Sequence, residues 1–439
     1  MSLVERSCTV SIEVDDAIDL STLEAAAVAF ARNAPGQLIG CVIERLTEDL
    51  LTHVVGPARQ PRAARDQGEA PWACSGCGSR CGFRRRGFRS RPRTVTAACG
   101  RIAFRVAQVE CLSCGRRFAP ALGLLGLRAH QRRTERVTEL AAGLACEVAY
   151  AKASSLLAEL AGVAVSARSI RRDVMVLAPE RLGPELSEVP VLLLDSTGER
   201  AGAKRNGVDL NLAIGLVARR RLGGRVAVSA RLLGATLDEH WSAMAELLAG
   251  LRPGLILTDG EEELAGAVAR LFPGVPTQRC LFHLARGLRY AIWRDGGMKG
   301  FQDRFVTELA QLLNDAYATA DLATARAAYR DLIDALDQAG APKAAGYLLI
   351  AEPEVFTFLT HPQAGRLLFG HKGRAEIATS VLERVMRELN RRTDNGTRWS
   401  IEGLRALLMV KLGRKYAHGR WAPRPEPLDD PKVRLRLVA

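Results

Sequence analysis

Val189-Pro190-Val191-Leu192-Leu193-Leu194-Asp195 is a short apolar run that ends on a carboxylate. Its length and composition read as a buried strand. Gly254-Leu255-Ile256-Leu257-Thr258-Asp259 repeats the pattern, with Gly260 behind it. A carboxylate just past a buried strand projects from the edge of a sheet and is held by a rigid element. Two such strands, paired, set two carboxylates side by side. A third acidic residue, Glu383, falls inside the helical stretch Thr379-Ser380-Val381-Leu382-Glu383-Arg384-Val385-Met386-Arg387. A helix packed across the sheet completes a cage for two hard divalent cations, Mg²⁺ or Mn²⁺. Such ions activate a water or a 3′-hydroxyl and stabilise the leaving oxygen in phosphoryl transfer. Glu376 and Glu388 are rival carboxylates for the third place, and Arg387 offers Glu383 an ordinary ion pair four residues on.

The surrounding chain fits this reading. Strands are expected at 190–195, 208–216, 225–234, 254–258 and 276–280, the first three as a meander, with a helix at 237–250 before the fourth. That order fits an RNase H-like fold. Residues 300–365 are Ala- and Leu-rich and helical, without strand signals, and 375–413 read as two helices. Asp238 and Glu239 open a helix as capping acids, and Trp241 reads as core. Cys280 and His283 are too few for a metal site of their own.

Upstream lies a cysteine module, residues 72–120. Cys74-Ser75-Gly76-Cys77 and Cys111-Leu112-Ser113-Cys114 are each followed by glycine, Gly78 and Gly115. Two thiolates from one tight loop, twice, read as a Zn²⁺ site. Between them, Arg91 to Val109 alternates like a β-hairpin, so the module reads as a zinc ribbon. Cys81 and Cys99 are alternative ligands outside the knuckles. Residues 61–105 hold eleven Arg against Asp66 and Glu69, a balance of 11 − 2 = +9. Arg84, Arg85 and Arg86, beside Phe83 and Phe88, suit phosphate contacts with some stacking.

Residues 128–182 are helical. Tyr150 to Ala161 forms a compact helix broken by Gly162. Ser166 is an N-cap for a second helix, Ala167 to Leu177, which begins with Arg168, Arg171 and Arg172. A glycine turn followed by a capped basic helix is the helix-turn-helix pattern, whose second helix can enter the major groove; two short packed helices share the same outline. Residues 1–60 contain helical stretches near 20–32 and 37–55 without a chemical motif. Residues 56–71 read as a flexible linker, and 414–439 as a loosely ordered tail.

The net charge of +14 points to a polyanionic partner. Ten cysteines in 439 residues, four of them in Cys-x-x-Cys pairs, favour metal over disulfides and a reducing compartment. The first residues lack a signal-peptide pattern, and no uninterrupted apolar run approaches the roughly 20 residues of a membrane helix. The expected location is the cytoplasm, on the nucleoid, with no membrane partner.

The stretches 189–290 and 375–412 resemble the catalytic domain of Mutator-like bacterial insertion-sequence transposases. The resemblance rests on Asp195, the run Asn211-Leu212-Ala213-Ile214-Gly215-Leu216, Trp241, Asp259-Gly260, Phe272-Pro273-Gly274 and Gln278-Arg279-Cys280-Leu281-Phe282-His283. It continues in the helix from Thr379 to Arg392. Two departures are Val381, where relatives often carry Asn, and Ala285-Arg286-Gly287 in place of an Arg-Asn pair. The resemblance implies an α/β multidomain protein: a zinc ribbon, a helix-turn-helix region, then an RNase H-like catalytic domain at 189–413 with an all-helical insertion at about 300–365. It implies an acidic triad, Asp195, Asp259 and Glu383, with Cys280 and His283 as an active-site support. The implied activity is metal-dependent cleavage and strand transfer at the terminal repeats of a mobile element, by a homo-oligomer on double-stranded terminal-repeat and target DNA. A catalytically silent DNA-binding regulator and a nuclease without strand transfer are the alternatives.

Overall fold

The computed structural model describes residues 20–59, 62–63, 66–128, 130–179, 182, 186–202, 207–220, 226–361, 380–394 and 399–416. Glu376, Thr379 and the tail beyond 416 lie outside them. The chain divides into two units, Met1–Asp173 and Val174–Ala439.

The first unit begins with α1, Leu20–Val54, one helix where the sequence suggested two. Pro35 removes a backbone hydrogen bond and crowds the turn before it, so Pro35-Gly36 reads as a break. Tertiary docking overrides it. Strands β1 (Phe83–Phe88), β2 (Arg93–Ala97), β3 (Gly100–Phe104), β4 (Ala107–Cys111) and β5 (Arg117–Phe118) form the cysteine module. Gly36 and Gly40 are buried against β3: a Cβ at either would lie 2.3 Å from the carbonyl oxygen of Arg101 or Ala103. Lower on the same face, Glu44 pairs with Arg105 at 3.1 Å and Glu48 with Arg85 at 2.7 Å. By length and composition α1 is apolar enough to cross a membrane. Its glycine contacts and ion pairs account for it instead as a helix docked on a β-module.

Described residues of the expected flexible linker, Gln67 and Ala70 among them, fold onto this module. Ala70 is buried, and Gln67 accepts from the Phe83 backbone N–H at 2.8 Å while donating to the Phe83 carbonyl at 2.8 Å. Satisfying a strand's backbone groups in this way fixes a segment whose composition alone reads as loose.

Strands β1, β4 and β5 make one antiparallel sheet, and β2 and β3 a hairpin, as the alternation predicts. Short helix α2 (Pro120–Leu124) and α3 (Glu135–Glu147) lead to α4 (Tyr150–Ala161) and α5 (Ala167–Leu177), which crosses the boundary between the units. The last two match their expected bounds. Gly162 ends α4 at φ 64°, a left-handed turn that glycine adopts without strain. Ser166 Oγ accepts from Ser169 N–H at 3.2 Å and caps α5.

The second unit holds β6 (Glu188–Val189), β7 (Val191–Glu199), β8 (Val208–Arg220), β9 (Val226–Leu237), α6 (Trp241–Leu248), β10 (Arg252–Pro253), β11 (Ile256–Thr258), α7 (Glu262–Leu271) and β12 (Thr277–Arg279). Its five-stranded sheet runs β12-β11-β7-β8-β9; β7, β8 and β9 form an antiparallel meander, and β11 and β12 run parallel to β7. One register joins β6 to β10 and β7 to β11: Glu188 faces Arg252, and Leu193 faces Leu257. Pro190, which has no N–H, and Gly254 interrupt that ribbon without shifting it.

Helices α8 (Leu281–Arg294), α9 (Lys299–Thr319), α10 (Leu322–Gln338), α11 (Pro342–Val355) and α12 (Thr357–Thr360) supply the all-helical stretch. Then come α13 (Ser380–Thr393) and α14 (Ile401–Tyr416). Two cores flank the sheet. Leu192, Leu194 and Ile256 pack with Trp241, Met244 and Leu264 on one face. Val191, Leu193, Leu255 and Leu257 pack on the other with the helical stretch and with Leu382, Val385 and Leu389 of α13. Truncating any of these fully buried leucines to Ala costs about 2–5 kcal/mol, so the sheet holding the acidic strand ends is a rigid base.

Candidate active site and cysteine centre

Asp195 lies in β7 opposite Leu212 of β8 and is 3% exposed. The Ser196 N–H donates to its Oδ1 at 2.9 Å. Asp259 directly follows β11 and is half-buried. Continuing the register from Leu193–Leu257 by two residues sets Asp259 beside Asp195. Neighbouring strands lie about 4.8 Å apart, and residues in register point the same way. Odd-numbered residues of β7 face the core that α13 covers, so both carboxylates lie on that side.

Glu383 sits in the first turn of α13, which packs against β7. It is half-buried, and its Oε1 is buried without a hydrogen-bond partner. A buried carboxylate oxygen with nothing to accept is costly unless a cation completes it. Of the rivals, Glu388 is engaged elsewhere: it binds Tyr416 Oη at 3.1 Å and pairs with Lys415 of α14.

Charge accumulates here. Glu261 is pushed above the ordinary carboxylate range, first by burial and then by the charges of Asp259, Glu263 and Asp209. His283 is pushed up to about 9, first by its hydrogen bond to the Cys280 side chain. Burial opposes this, and the charges of Cys280, Asp195 and Asp259 add to it. The Cys280 amide donates to the Thr258 carbonyl at 2.8 Å and Cys280 holds the N-cap of α8, so Cys280 and His283 start that helix beside the Asp259 turn.

The Gln278-Arg279 pair does work that sequence reading missed. Gln278 is fully buried; its Nε2 donates to the Val355 carbonyl at 2.9 Å, and its Oε1 accepts from Phe358 N–H at 2.9 Å. It therefore ties β12 to the end of the helical stretch. Arg279 donates to the Gly260 carbonyl at 2.9 Å and pairs with Glu354 at 3.1 Å. Gly260 has φ 85°, and a Cβ there would lie 1.4 Å from the Arg279 guanidinium. The Asp-Gly pair is needed because the turn after Asp259 is left-handed and clamped by an arginine. The available signal was two polar residues in a short buried strand, which demand partners.

Two smaller expectations change. Asp238 and Glu239 do not cap α6: His240 holds the N-cap position, without a side-chain cap bond. Asp238 adopts φ 57°, and Glu239 pairs with Arg405 at 3.1 Å. Trp241 is buried, as expected. Gly287 makes room for Tyr347, whose hydroxyl would lie 2.1 Å from a Cβ there.

In the first unit, Cys74, Cys77, Cys111 and Cys114 bring their sulfurs within 4.8 Å of one another. Cys74–Cys114 and Cys77–Cys111 are each 3.6 Å apart. A tetrahedron with Zn–S bonds of ~2.3 Å has edges of about 3.8 Å, so the cluster fits zinc. These separations are far beyond a disulfide bond of about 2.05 Å. Burial raises the Cys74 thiol, but the amides of Cys77 and Gly76 and the neighbouring thiols outweigh it and bring it to about 6. Cys77 is pushed up to about 12: the Ser79 amide lowers it, but Cys111 and Cys114 outweigh that. Four thiolates this close need a cation to ionise together. Cys81 and Cys99 stand outside the cluster. Among the described residues this is the one His/Cys/Asp/Glu group drawn so tightly. The three carboxylates of the second unit are not, and two ions about 3.5–4 Å apart ask for a wider spread of ligands than one ion does.

The arginines divide. Arg84 is exposed on β1. Arg85 points the other way, with 11% of its side chain exposed, and binds Glu48 and Thr52 of α1. Arg86 pairs with Glu110. Phe83 is core, and Phe88 lies under the Arg105 guanidinium at 4.7 Å. Arg168, Arg171 and Arg172 are exposed on α5. Behind them the buried Asp173 holds Arg133, with one bond at 2.8 Å.

Residues 191–399 match the family described as "Transposase, Mutator family". The chain is also 30% identical over 216 residues to the transposase for insertion sequence element IS406 of Burkholderia multivorans (strain ATCC 17616 / 249). That alignment covers 47% of this chain and 50% of the relative, so the chain spans about half the length of the curated protein it matches.

Proposed function

We propose that this chain is a DNA transposase with an RNase H-like catalytic domain. It binds the terminal repeats of a mobile element, cleaves a phosphodiester and joins the freed 3′-end to target DNA. The observation that carries this reading is the β7–β11 register. It sets Asp195 beside Asp259 on the sheet face against which α13 brings Glu383. Those three residues would hold two Mg²⁺ or Mn²⁺ ions; the unpartnered Glu383 Oε1 and the nearly buried Asp195 suit that use. When bound, the ions activate the attacking oxygen and stabilise the leaving one. The chain's own part is to fix the carboxylates on a rigid sheet, to brace the Asp259 turn through Arg279, and to keep the Cys280–His283 pair beside them.

The four cysteines would hold Zn²⁺ and make the module a zinc ribbon. Its exposed Arg84, with Arg86 beside it, supplies phosphate contacts, whereas Arg85 serves the fold. Helix α5 presents Arg168, Arg171 and Arg172 as the reading face of a helix-turn-helix. A homo-oligomer assembled on paired element ends, working at the nucleoid in the cytoplasm, completes the reading.

The test is an assay with DNA carrying the element's ends, a target plasmid and Mg²⁺. The expected products are nicked ends and ends joined to target. Nicking without joining would make the protein a nuclease, and binding without either would make it a regulator.

A further inference from the structure

Helix α8 leads away from the candidate active site with an exposed face that the reading above does not use. Its inward face is already filled by Leu281, Leu284, Leu288, Ala291 and Ile292. Yet Phe282, Tyr290 and Trp293 are 52%, 59% and 61% exposed. Residues 282, 286, 290 and 293 fall on one helical stripe. Large rings on the outer face of a helix cost solvation unless something covers them. Tyr290 and Trp293 are stacked, with centroids 5.6 Å apart and planes 26° apart. Phe282 meets the His283 ring edge-on at 5.7 Å, and His283 feels the charges of Asp195 and Asp259. Arg286 lies exposed in the middle of the stripe, and Arg294 is exposed at its end. Arg289, alongside, is engaged with Asp303.

We propose that this stripe is a binding track for unpaired DNA bases beside the scissile phosphate. The proposal rests on the transposase reading and extends it. Three observations choose the occupant. The stripe is continuous with the Asp259 strand end: the Cys280 amide, at the N-cap of α8, donates to the Thr258 carbonyl at 2.8 Å. Arginine interleaved with aromatic rings matches a polyanion that carries π-faces. From Phe282 to Trp293 the helix rises about 16 Å, the length of roughly five stacked nucleotides. A duplex keeps its base faces covered, so exposed rings gain a stacking partner only where a strand is unpaired. The track would hold the end of a strand opened for cleavage.

The test measures binding of the full chain to a labelled short oligothymidylate and to a random duplex, by fluorescence anisotropy. Wild type is compared with the Tyr290→Ala/Trp293→Ala double variant and with Trp293→Phe. Thermal melting confirms the fold, which exposed rings should not disturb. The double variant should weaken oligothymidylate binding by roughly 5- to 150-fold per ring removed, and duplex binding by less than about twofold. Trp293→Phe, which keeps an aromatic face, should stay within about threefold of wild type. Equal weakening on both DNAs would overturn the proposal. So would unchanged oligothymidylate affinity with a shifted sedimentation profile, which would make the patch a contact between copies of the chain. Wild type that binds duplex but not oligothymidylate would overturn the track alone; wild type that binds neither would overturn the transposase reading with it.

Discussion

Replacing Asp195, Asp259 or Glu383 singly with Ala should lower DNA cleavage and joining by roughly a thousandfold, about 4 kcal/mol of barrier, in a protein that stays folded and still binds DNA. The fold should survive because the sheet is held by Leu192, Leu193, Leu255 and Leu257, all fully buried, and not by its acidic edge. Removing Asp259 also relieves repulsion, since, after burial, its charge helps to raise Glu261. Glu383 has least to lose, because its Oε1 has no hydrogen-bond partner. Gel analysis of end-labelled DNA, with thermal melting as the control, checks the outcome. Wild-type turnover by any one variant would remove that residue from the site.

The second large effect is on metal content. Cys111→Ser should cut bound zinc from one ion per chain toward none, because structural zinc sites bind with about 10–16 kcal/mol of free energy that is shared with folding. Cys111 is fully exposed to neither solvent nor linker; it is buried in the cluster that holds Trp72, Phe83, Val109 and Leu51. Loss of zinc should therefore disturb Trp72 packing and the docked end of α1 together. Elemental analysis paired with tryptophan fluorescence reads both. Equal zinc in wild type and variant would mean that other ligands hold the ion.

Much of this was legible because its cause is local. Apolar runs ending in Asp195 and Asp259 specify strands with carboxylates at their ends. Gly162 and Ser166 mark the boundary between α4 and α5 by backbone chemistry alone. The features that sequence reading missed are tertiary. Pro35-Gly36 is locally a break, and only the close approach of β3 to Gly36 and Gly40 makes it part of a helix. Arg84, Arg85 and Arg86 read in sequence as one phosphate-contacting cluster; they lie instead on strand β1, and which of them meets α1 depends on Glu48, far away in sequence. Asp238 and Glu239 carry the composition of a cap without its geometry. The bracing by Gln278 and Arg279 depends on Val355, Phe358, Glu354 and Gly260, which no local pattern connects.

The central claim is that Asp195, Asp259 and Glu383 form one divalent-metal site. The most direct measurement is a Mn²⁺ titration of the full chain followed by electron paramagnetic resonance, for wild type and each Ala variant. The account predicts saturable binding in wild type, with signatures of paired ions on adding DNA, and weaker binding in all three variants. Undiminished Mn²⁺ binding in the Glu383→Ala variant, with loss in the two aspartate variants, would contradict it.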